Sequence, residues 1–299
     1  MERSIVNTHR GGVVVDTLLH IATLDQNSKS PYPGARSVAP EEMIRLMDEC
    51  GVSWGLQVTP SYHQFDNAAS IGLASRYPDR FAVVATLDPY AQSSLKHLQS
   101  LWTIPSVCSI RLCYPFGSKT APGDDDASFF ALAEELRVPI SLLVPHDISS
   151  IAHLAQSFPS LVLIVDHVGM SWSADDPFKC WDQLQLLRSQ ENIFIRVSAL
   201  PELTRERYPF PVAAARVREL YNLFGAGRLV WGSNFPTIER FASYGESIGL
   251  VGDLCTFLTS HEMESILSGT ALELLKLPAD PDSTEVRPSR AFQHVDEGA

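Results

Sequence analysis

No stretch of this sequence is apolar for eighteen consecutive residues, and its opening MERSIVNTHRGG holds no apolar core. The first lack excludes an ordinary membrane-spanning helix, and the second argues against a secretory leader. A soluble, cytoplasmic protein without a membrane partner is the expectation. Cationic side chains are also scarce: 23 Lys and Arg face 35 Asp and Glu, for a formal charge of −12. A surface of that sign is a poor match to nucleic acid or to an anionic bilayer, although it permits a local basic pocket. The five cysteines are odd in number and scattered at 50, 108, 113, 180 and 255. That pattern excludes a disulfide framework and reads as reduced thiols. A Gly-rich nucleotide loop after the first apolar run is missing as well, which weighs against a dinucleotide-binding sheet.

What is present is alternation. Eight short apolar runs stand out: VVVD (13–16), WGLQV (54–58), FAVVA (81–85), VCSIRL (107–112), PISLLV (139–144), LVLIVD (161–166), IFIRV (193–197) and RLVWG (228–232). Their near-continuous hydrophobicity suits parallel strands covered on both faces. Between them lie segments such as PEEMIRLMDEC, DNAASIGLASRY, KCWDQLQLLRS and FPVAAARVRELYNLF. These carry apolar residues at three- and four-residue spacing, as helices with one buried face do. Pro40 with Glu41 and Glu42 marks a helix start, and Gly51 after Cys50 a stop. Eight strand–helix repeats predict a single (β/α)8 barrel, an α/β fold, with an open doubly wound sheet as the alternative. The barrel is expected over 13–278, preceded by a polar segment (1–12) and followed by a Pro- and charge-rich tail (279–299). Loops at 31–34 and 115–123 are candidate rims over a pocket.

In such a barrel chemistry gathers where strands end, and distinctive residues fall there repeatedly. They are Asp16 and His20 at strand one, Gln57 and His63 at and after strand two, and Asp88 after strand three. Arg111 closes strand four, His146 follows strand five, and Asp166-His167 ends strand six. Arg196 and Ser198 close strand seven, and Ser233-Asn234 closes strand eight. Each has a plainer reading. Asp16 and Asp166 suit structural roles beside buried strands. Arg111 inside SIRLCY needs an anion, which is either a barrel carboxylate or a substrate carboxylate or carbonyl. The alternation of IFIRV allows Arg196 to face outward against a helix. His167 is the strongest candidate for direct chemistry, followed by His20.

The segments VVDTLLHI, PEEMIRLMDECGVSWGLQVTPSYHQFDN, RYPDRFAVVATLDP, SIRL, LVLIVDHVG, NIFIRVSAL and VWGSNFP resemble an amidohydrolase-related family. It contains 2-pyrone-4,6-dicarboxylate lactonase and metal-dependent decarboxylases related to aminocarboxymuconate semialdehyde decarboxylase. The resemblance implies an amidohydrolase-type barrel and a small-molecule substrate. It also implies a strand-one pattern Asp-x-His-x-His and a strand-eight aspartate that binds metal or activates water. This chain departs at both places: Leu18 stands at the first histidine position and Asn234 at the aspartate. Leucine cannot coordinate a metal, and a neutral carboxamide neither replaces a carboxylate ligand well nor takes a proton.

The expectation is therefore a hydrolase of a small carboxylated or oxygenated lactone or ester, needing no metal or other cofactor. His20, His167 and Asn234 are the candidate catalytic groups. Arg111, His63, His146, Arg196, Ser198 and Gln57 are the candidates for binding the substrate. A non-hydrolytic isomerase, dehydratase or cyclase, or a silent ligand-binding protein, would fit the same residues. A monomer or a small homo-oligomer is expected.

Overall fold

The computed structural model describes residues 12–21, 36–60, 63–114, 121–170 and 175–280. Most of the polar leader, the expected rim at 31–34, the first part of the one at 115–123 and nearly all of the tail lie outside these residues. The strands are β1 (Val15–Leu19), β2 (Trp54–Val58), β3 (Phe81–Thr86), β4 (Val107–Cys113), β5 (Ile140–Leu143), β6 (Leu163–Val165), β7 (Ile193–Val197) and β8 (Leu229–Trp231). They form one parallel sheet in chain order, β1 through β8. The sheet curls back on itself: Leu19 bridges Phe235, and the Asn234 N–H donates to Leu18 O at 2.9 Å. The architecture is a nearly closed (β/α)8 barrel, not an open doubly wound sheet.

The outer layer holds α1 (Pro40–Cys50), α2 (Ala68–Arg76), α3 (Ser94–Trp102), α4 (Ala127–Glu135), α5 (Ile148–Ser157), α6 (Leu200–Thr204), α7 (Pro211–Phe224) and α8 (Tyr244–Gly252). It is completed by α9 (Ser260–Glu264) and α10 (Thr270–Leu275), which a π turn over Ser265–Gly269 joins. As the sequence predicts, Pro40 opens α1, and Gly51 ends it in the left-handed conformation, with φ of 70°. KCWDQLQLLRS departs from its expected helical form. Trp181–Leu187 is a 3-10 helix that still buries Trp181, Leu184 and Leu187. Among the described residues no helix is long and apolar enough to cross a membrane.

Strand alternation divides the core in two. Phe81, Val83 and Ala85 pack with the helices, whereas Ala82 and Val84 join Val15, Trp54, Leu56, Val58, Cys108, Ile164 and Val230 in the barrel interior. Ala271, Leu275 and Leu277 close that inner cluster. The chain must pass very close to itself where β8 meets β1. A Cβ added at Gly232 would lie 3.0 Å from Leu18 Cβ and 3.1 Å from both Leu18 N and Thr17 Oγ1. The seam is also locked by Asp16, which accepts from the Ser233 N–H (2.9 Å), the Ser233 hydroxyl (2.5 Å) and the Tyr244 hydroxyl (3.0 Å).

Candidate active site

Polar side chains in the barrel interior are grouped around Asp166, at the end of β6. Arg111 from β4 donates its Nε–H to Asp166 Oδ2 at 2.6 Å, and Arg196 from β7 donates Nη1–H to Oδ1 in a very close contact. Arg196 further donates to Thr17 Oγ1 (3.2 Å) and Ser141 Oγ (3.1 Å). It thus ties β7 to β1, β5 and the end of β6. The outward orientation that IFIRV permitted is not adopted: Arg196 points inward and is fully buried. Arg111 meets a carboxylate of the barrel itself, the plainer of its two expected roles. Burial alone would raise the Asp166 pKa. The guanidiniums of Arg196 and Arg111 outweigh it, and the carboxyl is held below its ordinary value.

Two histidines adjoin this ion cluster, and charge couples each to Arg111, Arg196 and Asp166. His20, just beyond β1, donates Nδ1–H to Val58 O at 2.8 Å, which leaves Nε2 as an acceptor. Burial, followed by the charge of Arg111, lowers its pKa to about 4. His167 sits buried with Nδ1 3.0 Å from Ser198 Oγ. Burial lowers its pKa to about 3; Asp166 opposes the shift while Arg111 and Arg196 add to it. Both rings are therefore neutral near pH 7. The backbone that presents His167 is unusual, because His167, Val168 and Gly169 all have positive φ, at 49°, 53° and 72°. A β-branched residue in this region is strained, and such strain concentrates at functional sites.

Asn234 follows β8 in the left-handed conformation, φ 59°, which asparagine tolerates better than most residues. Its Nδ2 donates to Glu202 Oε1 at 2.9 Å, and both side chains are buried. Glu202 lies in α6, which starts from Ala199 and stops at Arg205, both left-handed. Burial raises the Glu202 pKa to about 7, against the lowering effect of the Asn234 hydrogen bond. Sequence reasoning passed over Glu202 because an acid beside Pro201 looks like an ordinary first-turn residue of a helix. The available signal was its place directly after β7, on the rim where barrel chemistry collects.

The remaining candidates separate. Ser198 belongs to the site through His167. Gln57 does not: its neighbours Leu56 and Val58 face the interior, so alternation turns it outward toward α2. There its Oε1 accepts from the Ile21 N–H (2.9 Å) and its Nε2 lies 3.4 Å from Ser70 Oγ. His146 follows β5 with φ of 66° and donates Nε2–H to Pro177 O at 3.1 Å, fastening two loops. His63 lies in the turn after β2, its backbone N–H bonded to Pro60 O. Asp88 caps its own turn by accepting from the Tyr90 N–H. The five cysteines are free thiols.

Comparison with known proteins then decides the family. The family model described as amidohydrolase matches residues 33–277. The chain belongs to the amidohydrolase family. Curated relatives of this amidohydrolase include L-fucono-1,5-lactonase of Burkholderia ambifaria, 25% identical over 261 residues, covering 81% of this chain and 86% of the relative. Another is 4-sulfomuconolactone hydrolase of Rhizobium radiobacter, 24% identical over 234 residues, covering 74% and 75%. Among solved structures, an amidohydrolase from Burkholderia multivorans superposes with a TM-score of 0.75 at 18% identity. It covers 89% of this chain and 100% of its own. The protein is an enzyme of hydrolase type.

Metal binding, which is common in this family, is not supported by the donor set. Leu18 has no donor, Asp166 is engaged by two guanidiniums, and Asn234 is bonded to Glu202. Among the described residues no group of three His, Cys, Asp or Glu side chains is placed to hold a metal ion.

Proposed function

We propose that this amidohydrolase opens the ring ester of a small carboxylated lactone. The observation that carries the reading is the charge arrangement at the barrel mouth. Two buried guanidiniums share the Asp166 carboxylate, beside two imidazoles held neutral. A cationic, water-poor floor of this kind favours an anionic ligand and stabilises negative charge that develops on a carbonyl oxygen. That both curated relatives are named for action on lactones supports the same bond type.

Roles follow from the contacts. Arg111 attracts the substrate carboxylate or carbonyl, and Arg196 with Asp166 fixes its position from below. Neutral His20 and His167 hydrogen-bond the substrate; Ser198 orients the His167 ring. Their low pKa values make both weak bases; with Ser198 donating to its Nδ1, His167 can present Nε2–H to the carbonyl, whereas His20 Nε2 accepts from a substrate donor. Asn234 holds the attacking water. The test is a panel of carboxylated lactones, their uncharged analogues and open-chain esters, followed by proton release. Carboxylated lactones are expected to turn over with the highest kcat/KM. Equal or better turnover of the uncharged analogues would defeat the charge argument, and conversion without proton release would point to isomerisation.

A further inference from the structure

We propose that Glu202 supplies the carboxylate that strand eight lacks, taking the proton of the hydrolytic water while Asn234 holds that water. The inference rests on the hydrolytic reading above and names its base. Glu202 and Asn234 form one unit: Nδ2 of Asn234 and Oε1 of Glu202 are 2.9 Å apart, and the two residues are only 3% and 6% exposed. The carboxamide direction follows from this contact, because a carboxylate only accepts. Nδ2 faces Glu202, and Asn234 Oδ1 is left to accept from another donor. The second Glu202 oxygen, Oε2, is buried and has no hydrogen-bond partner among the described residues.

Buried polar atoms are nearly always satisfied, so an exception calls for an explanation. A carboxylate kept for structure alone would have donors on both oxygens, as Asp16 and Asp166 do. The backbone holds the pair rigidly, through left-handed Ala199 and Arg205 around α6 and left-handed Asn234 after β8. A site that must hold a proton acceptor in place needs such support. The near-neutral titration of Glu202 agrees with the role, since a general base works best with a pKa near the working pH.

The step balances within the site. A water O–H bond breaks and its proton passes to Glu202 Oε2 as the water oxygen bonds to the lactone carbonyl carbon. The carbonyl π pair moves onto its oxygen. When the C=O bond re-forms, the ring C–O bond breaks, and the proton held by Glu202 goes to the departing ring oxygen. Glu202 is returned ionised, and the net change is lactone plus water to hydroxy acid.

The experiment compares full-length wild type with Glu202→Gln, Asn234→Asp and the exchanged double variant Glu202→Gln/Asn234→Asp. Removing a general base should lower kcat by about 100-fold or more with little change in KM. The double variant returns a carboxylate to β8 and an amide to α6, and should regain about tenfold or more of the lost kcat. Asn234→Asp alone sets two carboxyls against each other, where they must share a proton; it should be slower than the double variant. A folded Glu202→Gln enzyme within about threefold of wild-type kcat on a lactone that wild type hydrolyses overturns the assignment and leaves the hydrolytic reading intact.

A second readout needs no substrate. Wild type should lose melting temperature relative to Glu202→Gln between about pH 5 and about pH 8, as the buried carboxyl ionises. Parallel pH curves for the two proteins would overturn the assignment by themselves. Absence of lactone turnover in wild type, with divergent curves, would instead count against the hydrolytic reading and remove the base role with it.

Discussion

Replacing Asp166 by asparagine should be among the most damaging isosteric changes in this barrel. The side chain is fully buried, and its two oxygens serve different guanidiniums, Oδ2 for Arg111 and Oδ1 for Arg196. Asparagine keeps one acceptor. Its NH2 group would point at the N–H groups of the other arginine, leaving a buried cation without an anion. Breaking a buried pair in this way costs about 3–5 kcal/mol, a large part of the roughly 5–15 kcal/mol that keeps a domain folded. For a chain of this size the melting temperature should fall by roughly 6–20 °C, at about 2–4 °C per kcal/mol. Urea unfolding at neutral pH measures the change as a lower midpoint with unchanged slope. The triple replacement Asp166→Leu/Arg111→Met/Arg196→Met removes every charge of the cluster and should be less destabilised than the single variant, though inactive. A loss below about 1 kcal/mol for Asp166→Asn would refute the claim that this carboxylate neutralises both arginines.

Other consequences are open to direct measurement. Gly232→Ala should cost about 1–3 kcal/mol, because the new methyl meets the β1 backbone at Leu18 N; an unchanged urea midpoint would show that the seam has slack. His167 has a folded pKa of about 3 against an ordinary 6.5, so the unfolded chain binds the proton first. Stability should therefore fall as pH drops below about 6.5 toward the folded value, and His167→Gln should flatten that fall. An unflattened acid limb would contradict the neutral, buried imidazole. Glu202 has the opposite sign. Its folded pKa of about 7 against 4.5 means stability is lost as pH rises between those values. Glu202→Gln should recover up to about 3 kcal/mol at pH 8 and little at pH 5, as unfolding at the two pH values will show.

The barrel was legible in the sequence because its strands are apolar on both faces. Trp54–Val58 and Ile193–Val197 fall where their apolar runs do. KCWDQLQLLRS was harder, since the three-residue repeat that buries Trp181, Leu184 and Leu187 serves a 3-10 turn as well as an α-helix. At the site, Arg111, Asp166, His167 and His20 were visible as polar interruptions at strand ends. Which way a strand residue faces was not visible. Gln57 turned outward and Arg196 inward, because the register of each strand is fixed by packing and not by the run that contains it. Glu202 was hidden for another reason. Its partner Asn234 is distant in the chain, and only the fold shows that the carboxylate absent from β8 stands beside it on α6.

The most direct test of the account is lactone turnover in water enriched in heavy oxygen, with product analysed by mass. Ester hydrolysis at this site predicts one labelled oxygen in the new carboxylate and one proton released per turnover. Product of unchanged mass and without label would contradict hydrolysis, and would place the same guanidiniums and imidazoles in the service of an isomerisation.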